Sequence, residues 1–430
     1  MPPIALGSLV HERGMLVRPF GSRKSIAGAA AIVVLVLIVI WHEEGTQAPV
    51  ELGPVPPGIS HPKPNPLAEI INLGGSLQLD AQNSNQLAIK VALADVVMTD
   101  EILPLLADSK NLTNLNLTDQ RITDKGLKSL QELTQLKTLR LDQTQITDRG
   151  LLYLKDLPAL QKLGLANTLI TGSGLEELKD LPQLSDLDLS GTSVDDWGLR
   201  ILKRFPHLRK LKLHGCRKIT PEGIKQLRAL INLSELDLSW TPVTDSDLAD
   251  LKELPHLQKL DLSSTRVTDA GLVHLSSLPP LQNLKLAWTE MTDPGLPALM
   301  NLTYLKSLIL HRTAIKEADL AAVKKWSPLK DLRLDGSHIT DQGLAYLAGF
   351  SGLESLSVNE TTITAAGLSH LGKLTNLRSL QLVHTEVTEQ QVRDWWANRG
   401  PLQIIQSPIA VTDDELLKIG KVASRLNVFL

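Results

Sequence analysis

The sequence predicts an α/β solenoid, a curved right-handed coil with a parallel sheet on its concave face and short helices on its convex face, preceded by one N-terminal transmembrane helix. Three observations predict it. A Leu-x-x-Leu-x-Leu phrase returns every 24 residues, with one step of 25, from Leu112, Leu115 and Leu117 to Leu377, Leu380 and Leu382. Each is followed at a near-constant offset by a phrase of the form Ile-Thr-Asp-x-Gly-Leu, as at Ile122 and Ile146. Ahead of the repeats lie an unbroken apolar run and a stretch crowded with proline.

The apolar run covers residues 26–41, with Arg13, Arg18, Arg23 and Lys24 before it and Glu43 and Glu44 after it. That charge bias places the preceding segment, 1–25, in the cytoplasm. As a helix the run spans about 24 Å at 1.5 Å per residue, and Ser25, Trp41 and snorkelling basic side chains extend it toward the roughly 30 Å of a bilayer core. The competing reading is a secretory signal cleaved near Thr46 and Ala48, although Pro49 would then follow the cut. Under the first reading the protein is a single-pass signal-anchor protein whose repeats stand in the periplasm or on the cell surface. Under the second it is secreted. Residues 42–66 form a linker in which Pro49, Pro54, Pro56, Pro57, Pro62, Pro64 and Pro66 favour extended backbone and deny it regular hydrogen bonding.

Within one repeat the x-Leu-x-Leu alternation has the two-residue period of a short strand with one face buried. The later spacing Leu127, Leu130, Leu133 suits a short helix, with Thr123 and Asp124 placed to cap its first turn. No unit can bury its leucines alone, so the units must stack, each adding a strand to a parallel sheet. Twelve full units occupy 112–391, and at about 4.8 Å between strands their inner face runs on the order of 55 Å. Aromatic residues make up only 3% of the chain, which leaves branched aliphatic layers to fill the core. Residues 67–111 form an N-terminal cap with a degenerate first repeat at Met98, Thr99 and Asp100. Residues 392–430 form a degenerate last repeat, at Val411, Thr412 and Asp413, and a C-terminal cap.

These residues resemble the leucine-rich-repeat superfamily over about 88–416, and within it the subclass with a Thr-Asp-x-Gly-Leu helix start, which is close to the cysteine-containing repeats. The cap at Leu67–Asp80, with its Leu73 to Gly75 turn, is similar to those of bacterial membrane-linked members. The resemblance implies a column of polar side chains after each strand that joins neighbouring units. Here that column is mostly Thr, from Thr144 to Thr385, with Gln120, Ser337 and Cys216 as exceptions, so Cys216 reads as a structural thiol. Asn111, Asn116, Asn232, Asn301 and Asn359 match the glycosylation tripeptide, a match the repeat itself generates.

A net charge of −3 and a pI near 6.4 exclude the basic footprint of a nucleic-acid binder. One cysteine permits no internal disulfide. The sequence holds no phosphate loop, no nucleophile elbow and no metal-ligand spacing among its eleven histidines, so no enzyme, cofactor or metal site is expected. Paired carboxylates such as Asp195 with Asp196, or Asp413 with Asp414, stand at helix starts where capping accounts for them.

What remains is binding. The candidate partner contacts are Lys212, Asp237, Asp261, Lys285 and Arg333 on the strand face, with His214, Trp240, Trp288, His311 and Arg312 just past the strand ends. Exposed tryptophan among charges suits a protein hot spot. The rival readings are a glycan or small ligand stacked on Trp240 and Trp288, and a substrate adaptor resembling the leucine-rich-repeat partners of ubiquitin ligases. Against the adaptor stand the apolar N-terminus and the lack of an F-box-like helical segment. Trp395 and Trp396 lie where they would cover the last apolar layer.

Overall fold

A computed structural model of the protein describes residues 76–80, 88–92, 98–397 and 404–406, apart from 277, 279–280, 293–294 and 323–327. All of them fall in the unit Lys63–Leu430. The expected cytoplasmic segment, anchor and linker (1–66), and the last repeat at Val411, Thr412 and Asp413, lie outside the described residues. Among the described residues no helix is long and apolar enough to cross a membrane.

The sheet has fifteen strands arranged in sequence order. Ahead of the repeats lie β1 (Ser76–Asp80) and β2 (Ala88–Ala92). The repeats supply β3 (Leu112–Asn116), β4 (Thr138–Arg140), β5 (Lys162–Gly164), β6 (Asp186–Asp188), β7 (Lys210–Lys212) and β8 (Glu235–Asp237). They continue with β9 (Lys259–Asp261), β10 (Asn283–Lys285), β11 (Ser307–Ile309), β12 (Asp331–Arg333), β13 (Ser355–Ser357) and β14 (Ser379–Gln381). β15 (Ile404–Gln406) closes the series. β1 is antiparallel to β2, and every later pairing is parallel, with Leu139 opposite Leu163 and Leu163 opposite Leu187. The one 25-residue step leaves this register intact, since Leu211 faces Leu236 and the extra residue falls in the loop after Cys216.

Because all units share one register, their leucines form continuous buried files. Leu139, Leu141 and Ile146 of one unit are fully buried, as are Leu127, Leu130 and Leu133 of the unit before. Each such side chain contributes about 1.5–3 kcal/mol by leaving water. The helices are brief, as the residue spacing dictates: Asp124–Leu127 is one α turn that tightens into a 3-10 turn at Lys128–Leu130. Leucines three apart line up on one side of a helix with three residues per turn. At the far end Trp395 packs against the core as expected.

The polar column after the strands works differently from what the resemblance implied. The Thr144 and Thr168 hydroxyls donate to Leu141 and Leu165, three residues back in the same unit, at 2.6 and 2.7 Å. These threonines close their own turns and do not join units. Gln120 and Cys216 are exceptions: the Gln120 Oε1 accepts the Met98 N–H of the preceding unit at 2.6 Å, and the Cys216 thiol donates at 3.1 Å to the Leu189 carbonyl of the unit before it, with burial pushing the thiol above its ordinary range.

The joints between units lie instead in the Thr-Asp-x-Gly-Leu phrase. Thr123 and Thr147 are the helix N-caps, accepting from Lys125 and Arg149. The Asp that follows each cap reaches into the next unit. Asp124 accepts the Thr147 N–H at 2.8 Å and the Thr147 hydroxyl at 2.6 Å, and Asp148 does the same for Thr171 at 2.7 and 2.5 Å. The same carboxylate occupies the space a Cβ would need on the next unit's glycine: Asp124 lies against Gly150, Asp148 against Gly174 and Asp341 against Gly367.

Two units that lack the Asp are followed by a unit that lacks the Gly, whereas Gly172 stands in the Asp position and Gly198 still follows it, against the Gly172 Cα. Pro221 replaces the Asp in one of the two, and the next unit carries Asp247 in place of Gly, whose carboxylate turns back onto the Thr244 N–H and hydroxyl, 2.8 Å from each. Ala365 replaces it in another, and Gln391 then stands in the Gly position and closes a capping box with Thr388.

Candidate binding face

The third residue beyond each strand adopts left-handed backbone in all twelve units. Trp240 and Trp288 belong to this column, at φ of 58° and 59°, with Ser264, Arg312, Glu360 and the glycines Gly191, Gly215 and Gly336. The cause is geometric. The chain must leave the strand sharply, and from Asp119 to Glu360 the N–H bonds a carbonyl of the following unit, as Trp240 does to Ser263 and Trp288 to His311 at 2.9 Å. The indoles therefore stand on a ledge past the strand ends, 53% and 59% exposed.

The ledge brings several candidate residues together. The Trp240 ring meets His214 edge-on, with centroids 6.4 Å apart. The Arg312 guanidinium lies 5.0 Å over the Trp288 ring and pairs with Glu360 two units on. It runs across Gly336, where a Cβ would collide with the Arg312 side chain. Both tryptophans thus pack sideways on a neighbour and still expose more than half their surface. For Trp288 one ring face is already taken by a cation, which reduces the surface left for a stacked sugar.

The strand-face charges are largely paired with one another. Lys212 bonds Asp188 at 3.0 Å, Lys285 bonds Asp261 at 3.0 Å and Arg333 approaches Asp331 at 3.4 Å. Burial depresses the Lys212 ammonium, but the hydrogen bond to Asp188 together with the negative charges of Asp188, Asp186 and Glu235 leaves it above its usual range. His311 pairs with Asp335 at 2.7 Å. Burial raises the Asp335 carboxyl, yet the bonds from His311, Ser357 and the Asn359 N–H together hold it below the ordinary carboxylate range. Asp237 goes the other way: burial pushes it up, against the lowering effect of the Ser239 hydroxyl and N–H, and Asp261 adds to the rise.

The candidates therefore fall into three groups: Asp237, His214 and Trp240; Trp288 and Arg312; and the separate pairs of Lys212, Asp261 with Lys285, His311 and Arg333. Sequence reading missed Ser239, Asp335 and Glu360. Their roles depend on contacts between units, which a linear pattern does not display, although Gly191, Gly215 and Gly336 in the tryptophan column signalled its left-handed backbone. Exposed apolar side chains off the ledge include Trp197, which carries Arg200 over its ring at 5.6 Å, Leu169 and Tyr304. No cluster able to hold a metal ion occurs among the described residues.

Comparison with known proteins agrees with this architecture. The family described as Leucine Rich repeat matches residues 108–130, 206–227 and 253–276. The crystal structure of an internalin from Listeria monocytogenes superposes with a TM-score of 0.52 at 22% identity, covering 75% of this chain and 92% of that one. No curated protein matches the sequence. Repeat phrase, matched segments and structural likeness together support the leucine-rich-repeat superfamily and show that the described repeats form a leucine-rich-repeat solenoid.

Proposed function

We propose that the chain is a non-catalytic module that binds a protein partner on the strand face and ledge between Lys212 and Arg333, and that the segment 26–41 anchors it so that the repeats stand outside the cytoplasmic membrane. The observation that carries this is the placement of Trp240 and Trp288. A non-glycine residue in left-handed backbone costs roughly 1–2 kcal/mol, and an indole more than half exposed regains little of it by burial. Such rings suit a surface selected for contact. The Thr-Asp joints of the repeat phrase support the Thr-Asp-x-Gly-Leu subclass for the same chain.

The test is proximity labelling on intact cells with a membrane-impermeant reagent, comparing the wild-type full-length chain with a Trp240→Gly, Trp288→Gly variant. The expected result is a protein neighbour that labels with the wild type and is lost with the variant. An unchanged set of neighbours contradicts the binding face, failure to label the chain contradicts its location, and a variant that loses only carbohydrate conjugates favours the glycan reading.

A further inference from the structure

The two tryptophans of the ledge share one chemistry, and only one of them has it complete. At Trp288 the following unit supplies Arg312, whose guanidinium lies over the ring and is held by the Glu360 carboxylate. Aromatic ring, cation and carboxylate are all present within the chain. At Trp240 the corresponding position of the following unit is Ser264, which offers no cation.

The carboxylate is nevertheless in place. Across β6 to β10 the facing charges are matched: Asp188 by Lys212, Glu235 by Lys210 and Lys259 at 3.5 and 3.3 Å, and Asp261 by Lys285. Asp186 lies among Lys162, Lys210 and Lys212. Asp237 differs. One of its oxygens accepts the Ser239 N–H and hydroxyl at 2.9 and 2.5 Å, and no lysine or arginine pairs with it among the described residues. The nearest cations of its column, Lys212 on β7 and Lys285 on β10, are each engaged by another aspartate. The titratable neighbours left to Asp237 are the Asp261 carboxylate, which raises it, and the His214 ring, which lowers it.

His214 also ties this carboxylate to the indole. Its Nδ1 lies 2.8 Å from the Ser239 hydroxyl that donates to Asp237, and its ring meets Trp240 edge-on. A carboxylate without a lysine or arginine partner among the described residues and an exposed indole thus stand at the end of one strand, joined by Ser239 and His214. A guanidinium or ammonium placed there gains a charge-assisted hydrogen bond and a ring face together.

We propose that Asp237 and Trp240 form the docking point for an arginine or lysine side chain of the partner, so that the partner presents a basic segment to this end of the ledge. The inference rests on the reading of the ledge as a binding face and names the chemistry of what it binds. Burial of Asp237 agrees with it, because an incoming cation offsets the desolvation that raises this carboxyl.

The experiment measures fluorescence anisotropy of a dye-labelled, end-blocked Gly-Ser-Arg-Arg-Ser-Gly peptide titrated with the full-length protein. The control peptide carries citrulline, the uncharged isostere, in place of arginine. We expect saturable binding of the arginine peptide alone, weakened about tenfold or more, equivalent to about 1.4 kcal/mol, by Asp237→Asn. Trp240→Gly, which keeps a residue suited to the left-handed backbone, gives a second reading with comparable loss. Asp186→Asn, a charge change on the same face, leaves affinity within about twofold. Equal binding of the citrulline peptide, indifference to both Asp237→Asn and Trp240→Gly, or equal loss with Asp186→Asn overturns the proposal. A cell-surface neighbour that depends on the tryptophans while the arginine peptide fails to bind refutes the cationic docking point and leaves the binding face standing. Absence of both refutes the two together.

Discussion

The smallest unit of explanation is the pair formed by an Asp and the Gly one repeat further on. Asp124 caps nothing in its own helix; it binds the Thr147 N–H and hydroxyl of the next unit and lies where Gly150 would carry a Cβ. Gly150→Ala is therefore expected to lose about 1–3 kcal/mol, the usual range for an overpacked site. Adding Asp124→Ala removes the obstructing carboxylate, so the double variant loses less than the sum of the two singles. Urea denaturation of all four proteins in a double-mutant cycle measures this coupling; strict additivity would show that the contact is not the reason for the glycine. Both residues were legible in the sequence as parts of a phrase, and Thr123 was rightly placed at the helix start. Their partnership was not legible, because it links residues in different units and the two positions do not vary strictly together: Pro221 precedes Asp247 and Ala365 precedes Gln391, but Gly172 precedes Gly198.

At the scale of the element, strand and helix were read correctly for a simple reason: each is set by the spacing of leucines within a few residues. The turn between them was not. The polar column after the strand was expected to join units, yet the Thr144 hydroxyl is spent on Leu141 in the same turn. The position before it in every unit is left-handed, a condition that three glycines in twelve repeats only hint at. Two substitutions probe that condition with opposite signs. Ser264→Gly relieves strained backbone and raises stability by about 1 kcal/mol. Gly336→Ala imposes the strain and also displaces the Arg312 side chain that crosses it, so it loses about 1–2 kcal/mol. Thermal denaturation reads both, and a neutral Gly336→Ala would contradict the left-handed column.

At the scale of the whole repeat unit, stability resides in interfaces between neighbours, since a solenoid has no contacts between distant units to fall back on. That is why the fold was so legible: one pattern sampled twelve times leaves little freedom, and the register it implied is the register found, including across the 25-residue step. β1 and β2 lie within the segment expected to cap the first unit, and most of the expected C-terminal cap lies outside the described residues. The binding face was legible only as a list. The sequence put Trp240, Asp237 and His214 in nearby columns, but the hydrogen bonds through Ser239 that connect them, and the reach of Arg312 across two units to Glu360, depend on how successive turns face each other.

The most direct test of the central claim is hydrogen exchange on the full-length protein, alone and in complex with the partner found by surface labelling. The account predicts slowed exchange at the strand ends and ledge, around residues 237–241, 285–289 and 309–313. Protection confined to the helices on the opposite side, such as Asp196–Leu202, Asp269–Leu275 and Asp341–Leu347, with the ledge unchanged, would contradict it.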